Sequence, residues 1–166
     1  MRRTRCSAIS GFPEFLLHPR LQEDGIEVGD LELCRVLLMN DARFPWLILV
    51  PRVHEAREII DLDSVERSQL MEELALASTA MRSVFEPEKL NIGALGNIVP
   101  QLHLHVVARY ANDDAWPAPV WGHGSAEPYK TGQIHATLRA LRDALTLAAQ
   151  LALQSGAVPR QADTPD

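Results

Sequence analysis

The sequence has little cysteine and no long apolar run. Two of its 166 residues are cysteines, Cys6 and Cys34, and they do not form a CxxC pair. Isolated cysteines are typical of reduced cytoplasmic proteins, whereas small secreted domains use paired cysteines as disulfides. No window approaches the run of about 20 apolar residues that spans a bilayer, and no signal-like apolar stretch follows the basic start "MRRTRC". We therefore expect a cytoplasmic protein with no membrane partner.

Basic residues are also scarce. The chain has 16 Lys and Arg against 22 Asp and Glu, which gives a net charge of −6. Proteins that bind nucleic acid usually carry a basic face, so this balance argues against a nucleic-acid partner. It does not exclude a small anionic ligand, because a local pocket can oppose the overall charge.

The pattern of apolar residues and turn formers predicts one α+β domain. The segments before the first long helix are a short helix or ordered arm at 10–22, a turn with room for a short strand at 23–30, and strands at 31–41 and 46–52. Further strands at 89–96 and 101–110 are close enough in sequence to form an antiparallel pair. The domain is expected to span residues 1–156, with a core at about 30–110 and a flexible tail at 157–166.

Two long helices are predicted. Asp63 and Glu66 form a capping box, and apolar residues then recur on one helical face up to Val84. Pro87 ends this helix, because the residue before a proline is disfavoured in helical geometry. A second apolar stripe predicts a C-terminal helix over residues 130–154.

Two histidines share a face of the last predicted strand, in the stretch "QLHLHVV". Side chains alternate in a strand, so Gln101, His103 and His105 point one way and the intervening leucines point to the core. The residues alone leave three interpretations open. The histidines are ordinary half-buried residues, or two ligands of a metal whose third ligand no spacing identifies, or a site of nucleophilic catalysis at phosphorus. The glycines and the amide of "IGALGNIVP", just upstream, favour the third.

The stretch resembles the signature of the histidine triad (HIT) superfamily of nucleotide hydrolases and transferases, His-φ-His-φ-His-φ-φ, where φ is apolar. Six of the seven positions fit, and Gln101 stands in place of the first histidine. The order of elements over residues 30–110 is also similar. The resemblance implies an antiparallel sheet of about five strands with helices packed on one side, to which the C-terminal helix is an addition. It further implies a homodimer, a small-molecule nucleotide as ligand, and chemistry that needs neither a cofactor nor a metal.

The resemblance also assigns roles to residues. His103 matches the nucleophile that forms a covalent nucleotidyl–histidine intermediate, and His105 matches a histidine that contacts the phosphate. Gln101 can orient groups by hydrogen bonds but cannot shuttle a proton. The expected nucleotide-binding residues are Asn40 at the ribose hydroxyls, Asn91 on the phosphate side, and Gly96 with Asn97 beside the scissile phosphate.

The implied reaction is hydrolysis of a phosphoanhydride or phosphoramidate at a nucleotide's α-phosphate. Gln101 motivates one alternative, a nucleotide-binding protein with little or no catalysis. Ile98 supports the same alternative, since it stands where many members of the superfamily place a hydroxyl near the leaving group. A second alternative is a nucleotidyl transferase. Trp116 and Trp121 are candidates for closing the pocket, and Arg109, at the end of a strand, is expected to be solvated.

Overall fold

The computed structural model describes residues 15–154, and these form a five-stranded antiparallel sheet with two long helices and one short helix. In chain order the elements are α1 (Pro19–Asp24), β1 (Gly25–Asp30), β2 (Cys34–Met39), β3 (Trp46–Pro51), a 3-10 turn (Ile59–Asp61), α2 (Ser64–Phe85), β4 (Lys89–Gly93), β5 (Leu104–Arg109) and α3 (Thr131–Gln154). The strand order is β1-β2-β3-β5-β4. The predicted α+β fold with its C-terminal helix is confirmed. Cys6 and the predicted tail at 157–166 lie outside the described residues.

The first long helix, α2, begins and ends as its sequence predicts. The Asp63 carboxylate accepts hydrogen bonds from the main-chain N–H groups of Val65 and Glu66, and the Glu66 carboxylate accepts one from Asp63 N–H. This reciprocal capping satisfies donors that the first helical turn leaves free. Glu86, in the left-handed conformation, follows the last helical residue. None of the helices in residues 15–154 is long and apolar enough to cross a membrane.

A buried carboxylate joins α2 to the turn between β1 and β2. Glu73 is fully buried and accepts hydrogen bonds from the main-chain N–H groups of Leu33 (2.6 Å) and Cys34 (2.8 Å). A buried charge is tolerated when such donors replace its lost hydration. The apolar stripe of α2 did not predict this contact. Glu73 is a polar residue on the buried face of the helix, and the stripe identifies only the apolar residues of that face.

The sheet has two covered faces. On one face, α2 and α3 pack against residues such as Val36, Leu49 and Val106, so the two long helices lie on one side as predicted. The opposite face is covered by α1, which supplies Leu21, and by the segment that follows β5, which supplies Val120. The two predicted catalytic histidines belong to this second face, since His105 pairs with Ile48, one of its buried residues.

Three predicted boundaries are wrong in part. Residues 25–30, expected to be mainly a turn, form strand β1, which pairs with β2 through a bulge between Glu27 and Gly29. Strand β4 ends at Gly93 and not at 96, and β5 begins at Leu104 and not at 101. The residues from 94 to 103 therefore form an extended loop, which leads into the two-histidine stretch.

Arg109, at the end of β5, is buried, so the expectation of a solvated arginine was wrong. Its side chain is 1% exposed and forms an ion pair with Asp113 at 2.7 Å. It also donates to Asn91 Oδ1 (2.6 Å) and to the carbonyl oxygen of Ala118 (3.0 Å). The guanidinium of Arg109 lowers the pKa of Asp113 to about 2. All acceptors except Asn91 come from the segment after β5, and the network therefore holds that segment on the second face.

Candidate active site

A cavity of about 270 Å³ opens on the second face of the sheet. Strands β2 and β3 and the two-histidine stretch form its floor, while α1, the loop after β4 and the segment after β5 form its walls. The cavity is lined by Arg20, Leu21, Asp24, Met39, Trp46, Ile48, Leu95, Gly96, Asn97, Ile98, Val99, His103, His105, Trp121 and Gly122. Both predicted catalytic histidines therefore line the same cavity. His105 lies opposite Ile48 in the β3–β5 register, which places it on the cavity floor.

The imidazole of His103 is held through one nitrogen. His103 is 7% exposed, and its Nδ1 lies 2.7 Å from the main-chain carbonyl oxygen of Gln101. A carbonyl oxygen can only accept, so Nδ1 carries the proton in the neutral ring and Nε2 keeps its lone pair. This is the tautomer in which the nitrogen that is not held can act as a nucleophile.

His105 is held in the opposite tautomer. The indole N–H of Trp46 donates to His105 Nδ1 at 2.8 Å, and because an indole can only donate, the proton of the neutral ring lies on Nε2. Burial, with a smaller contribution from His103, lowers the pKa of His105 to about 3, so the ring is neutral at pH 7. The two imidazole centroids are 4.9 Å apart. One cavity thus holds an imidazole with a free lone pair beside an imidazole with a free N–H.

Two tryptophans pack edge-to-face around His105. The ring centroid of His105 lies 5.2 Å from that of Trp46 and 5.7 Å from that of Trp121. Trp121 also packs closely on β4, because a Cβ at Gly93 would lie 3.4 Å from the Trp121 ring, at the edge of ordinary van der Waals contact. Trp116 contacts the Arg109 guanidinium instead (5.6 Å). The sequence did not identify Trp46 as a site residue. Trp46 is the first residue of β3, and its contact with His105 can be expected only when β5 is known to be the neighbouring strand.

The loop after β4 supplies the candidate phosphate-binding residues. Gly96, Asn97 and Ile98 line the cavity, and Gly96 has a φ of 66°, which glycine adopts without strain. Ile98 is 86% exposed. The charged side chains in the lining are Arg20 and Asp24, which form an ion pair at 2.7 Å.

Three predicted site residues do not line this cavity. The Oδ1 atom of Asn40 accepts from the main-chain N–H of Tyr129 (3.1 Å), and Asn91 accepts from Arg109. The strand pattern predicted that the side chain of Gln101 faces the cavity beside the histidines, and it does not. Gln101 precedes β5, so the alternation of side chains along a strand does not apply to it. It lies in a neighbouring depression with His18. Within residues 15–154, no three His, Cys, Asp or Glu side chains form a group that could hold a metal ion.

Trp46→Phe is expected to raise the pKa of His105 and to mix its tautomers, because the ring stays while the indole N–H that occupies Nδ1 is lost. Nitrogen NMR of labelled histidine would report both changes. Trp121→Phe is the matched control, since Trp121 also packs on His105 but its buried Nε1 has no hydrogen-bond partner. A His105 that keeps its pKa and single tautomer in Trp46→Phe would contradict the assignment.

The comparisons with known proteins agree with this geometry. The model of the HIT domain matches residues 20–112, from α1 to just beyond β5. Three solved structures of histidine triad proteins are similar over nearly their whole length. They come from Bradyrhizobium japonicum (48% identity, TM-score 0.79, 80% of this chain and 99% of that chain), Sinorhizobium meliloti (44%, 0.78, 80% and 98%) and Marinobacter aquaeolei (44%, 0.79, 81% and 98%). The search of curated proteins found no match. From the matched span and these similarities, the chain belongs to the HIT domain family.

Proposed function

We propose that this protein is a nucleotide hydrolase that cleaves a phosphoanhydride or phosphoramidate bond at the α-phosphate through a covalent nucleotidyl–His103 intermediate. The observation that carries the proposal is the pair of complementary tautomers, in which His103 Nδ1 is held by a carbonyl and His105 Nδ1 by an indole. Membership of the HIT family supports nucleotide binding as the general function. The cavity of about 270 Å³ suits a small molecule.

The proposed reaction has two steps. In the first step, His103 Nε2 attacks the α-phosphorus, the bond to the leaving group breaks, and its electron pair departs with that group, either as a phosphate anion or as an amine that takes a proton from solvent. In the second step, a water oxygen attacks phosphorus and loses its proton to solvent, the phosphorus–nitrogen bond breaks with its electron pair returning to Nε2, and a nucleoside monophosphate and neutral His103 result. His105 Nε2–H and the main chain near Gly96, with Asn97, stabilise the negative charge on the phosphoryl oxygens in both steps.

The rival function is nucleotide binding with little or no catalysis. The side chain of Ile98 lines the cavity, and a hydrocarbon there gives no proton to a departing group. The carboxamide of Gln101 lies in the neighbouring depression and bonds to main chain there. Nucleotidyl transfer to an acceptor other than water would use the same first step.

The experiment is a panel of dinucleoside polyphosphates and nucleoside phosphoramidates, with products identified by mass spectrometry. Acid or denaturant quenching at early times should trap protein that is heavier by one nucleotidyl group. We expect a nucleoside monophosphate as product and the same activity in chelator. Saturable binding of these compounds without product or adduct would support the rival function and refute hydrolysis.

A further inference from the structure

The carboxamide of Gln101 forms hydrogen bonds with two main-chain groups, two residues apart, in the segment that leads into α1. Its Oε1 atom accepts from the N–H of His18 at 2.9 Å, and its Nε2 atom donates to the carbonyl oxygen of Leu16 at 3.0 Å. A carboxamide presents an acceptor and a donor side by side, as the C=O and N–H of one residue in a neighbouring β-strand do. The side chain therefore binds this segment across 83 and 85 residues of sequence.

The segment bound by Gln101 fixes a wall of the cavity. It continues directly into α1, whose Arg20, Leu21 and Asp24 line the cavity. A helix of six residues has little stability of its own, so its position depends on tertiary contacts. The burial of Leu21 is one such contact, and the Gln101 bonds just before the helix are another.

The main chain of Gln101 contacts the floor of the site. Its carbonyl oxygen lies 2.7 Å from His103 Nδ1. Gln101 thus contacts two parts of the site. Its side chain binds the segment that leads into α1, and its main chain binds the candidate nucleophile. A substitution at this position removes the first link and keeps the second.

We propose that Gln101 is a positioning residue, which sets the affinity for the nucleotide by holding α1 against the cavity and does not contact the reacting atoms. The inference rests on the proposed function and assigns a task to the position where the HIT signature has its first histidine. The two nitrogens of an imidazole diverge from the ring, whereas the oxygen and nitrogen of a carboxamide lie side by side. A histidine would therefore fit the Leu16 and His18 main chain less well than glutamine does.

The test compares Gln101→Leu and Gln101→His with the wild-type chain. Both variants should raise the Kd for adenosine and guanosine monophosphate, and the KM of any substrate, roughly 3- to 10-fold, which is the range for lost hydrogen bonds. The kcat should stay within about 2-fold. Amide hydrogen exchange over residues 16–24 should become faster, without a ligand or turnover being needed. Gln22→Leu is the matched control, because Gln22 is an exposed glutamine of α1 itself.

The outcomes separate this inference from the proposed hydrolysis. Unchanged exchange over residues 16–24 in both variants would overturn it, as would Gln101→His with unchanged KM and increased kcat, since that places the side chain at the reacting atoms. If Gln101→Leu does not fold, Gln101→His decides by the same measurements. Absence of turnover and adduct in the wild-type chain would refute the proposed hydrolysis but not the inference about Gln101. The exchange rates and the Kd values would still test whether Gln101 positions α1.

Discussion

His103→Ala is expected to abolish turnover and the covalent adduct together. The substitution removes the only atom that the proposed mechanism joins to phosphorus, so kcat should fall about 10³-fold or more. His103 is buried beside the cavity and its ring makes one hydrogen bond, to Gln101, so the fold should persist. Steady-state rates with the best substrate of the panel, together with intact-protein mass spectrometry after quenching, provide the measurement.

Two other histidines make the result specific to His103. His105→Ala should lower kcat by about 10²-fold or more, as loss of one donor to a developing oxyanion does, and should still form an adduct slowly. His54→Ala should keep the rate within about 2-fold, because His54 lies outside the cavity and its side chain is 53% exposed. An adduct that persists in His103→Ala would place the nucleophile elsewhere and contradict the mechanism.

The sequence predicted the elements whose signals are local. The capping box at Asp63, the apolar stripe of α2 and the apolar run of β3 each lie within one segment, and the structure confirms each of them. The cavity also brings together His103, His105, Gly96 and Asn97, as expected for residues that are near one another in the chain. Their functional roles stay predictions.

Two features that sequence reasoning missed depend on contacts between distant segments. Trp46 meets His105 only because β3 and β5 are neighbours in the sheet. Gln101 turns away from the histidines because a segment more than 80 residues earlier offers matching main-chain groups. Neither contact leaves a periodic pattern in the chain, whereas periodic patterns are what predict helices and strands from one sequence.

Arg109→Met is expected to give the largest loss of stability among the substitutions considered. Asp113 is 5% exposed at its side chain, and without Arg109 its charge would keep the main-chain N–H donors of Tyr110 and Ala115 but no counter-ion, which costs about 3 kcal/mol of unfolding free energy. Urea unfolding at pH 7 would measure the loss. Arg52→Met is the matched control just after β3: Arg52 is 33% exposed, pairs with Asp30 at 3.4 Å and donates to the carbonyl oxygens of Leu31 and Glu32 (2.8 Å each), and because water can replace it at these exposed groups the loss should be about 1 kcal/mol.

The pH dependence of Arg109→Met tests the cause of that loss. The folded pKa of Asp113, about 2, lies below the unfolded value, so the ion pair stabilises the fold above about pH 4. This stabilisation disappears as the pH falls through 2, and the difference between wild type and variant should shrink over the same interval. A difference that stays constant from pH 5 to pH 2 would instead assign the loss to packing of the Arg109 stem. Because the network also anchors the segment that carries Trp121, the variant should bind nucleoside monophosphates more weakly at pH 7, where it is still folded.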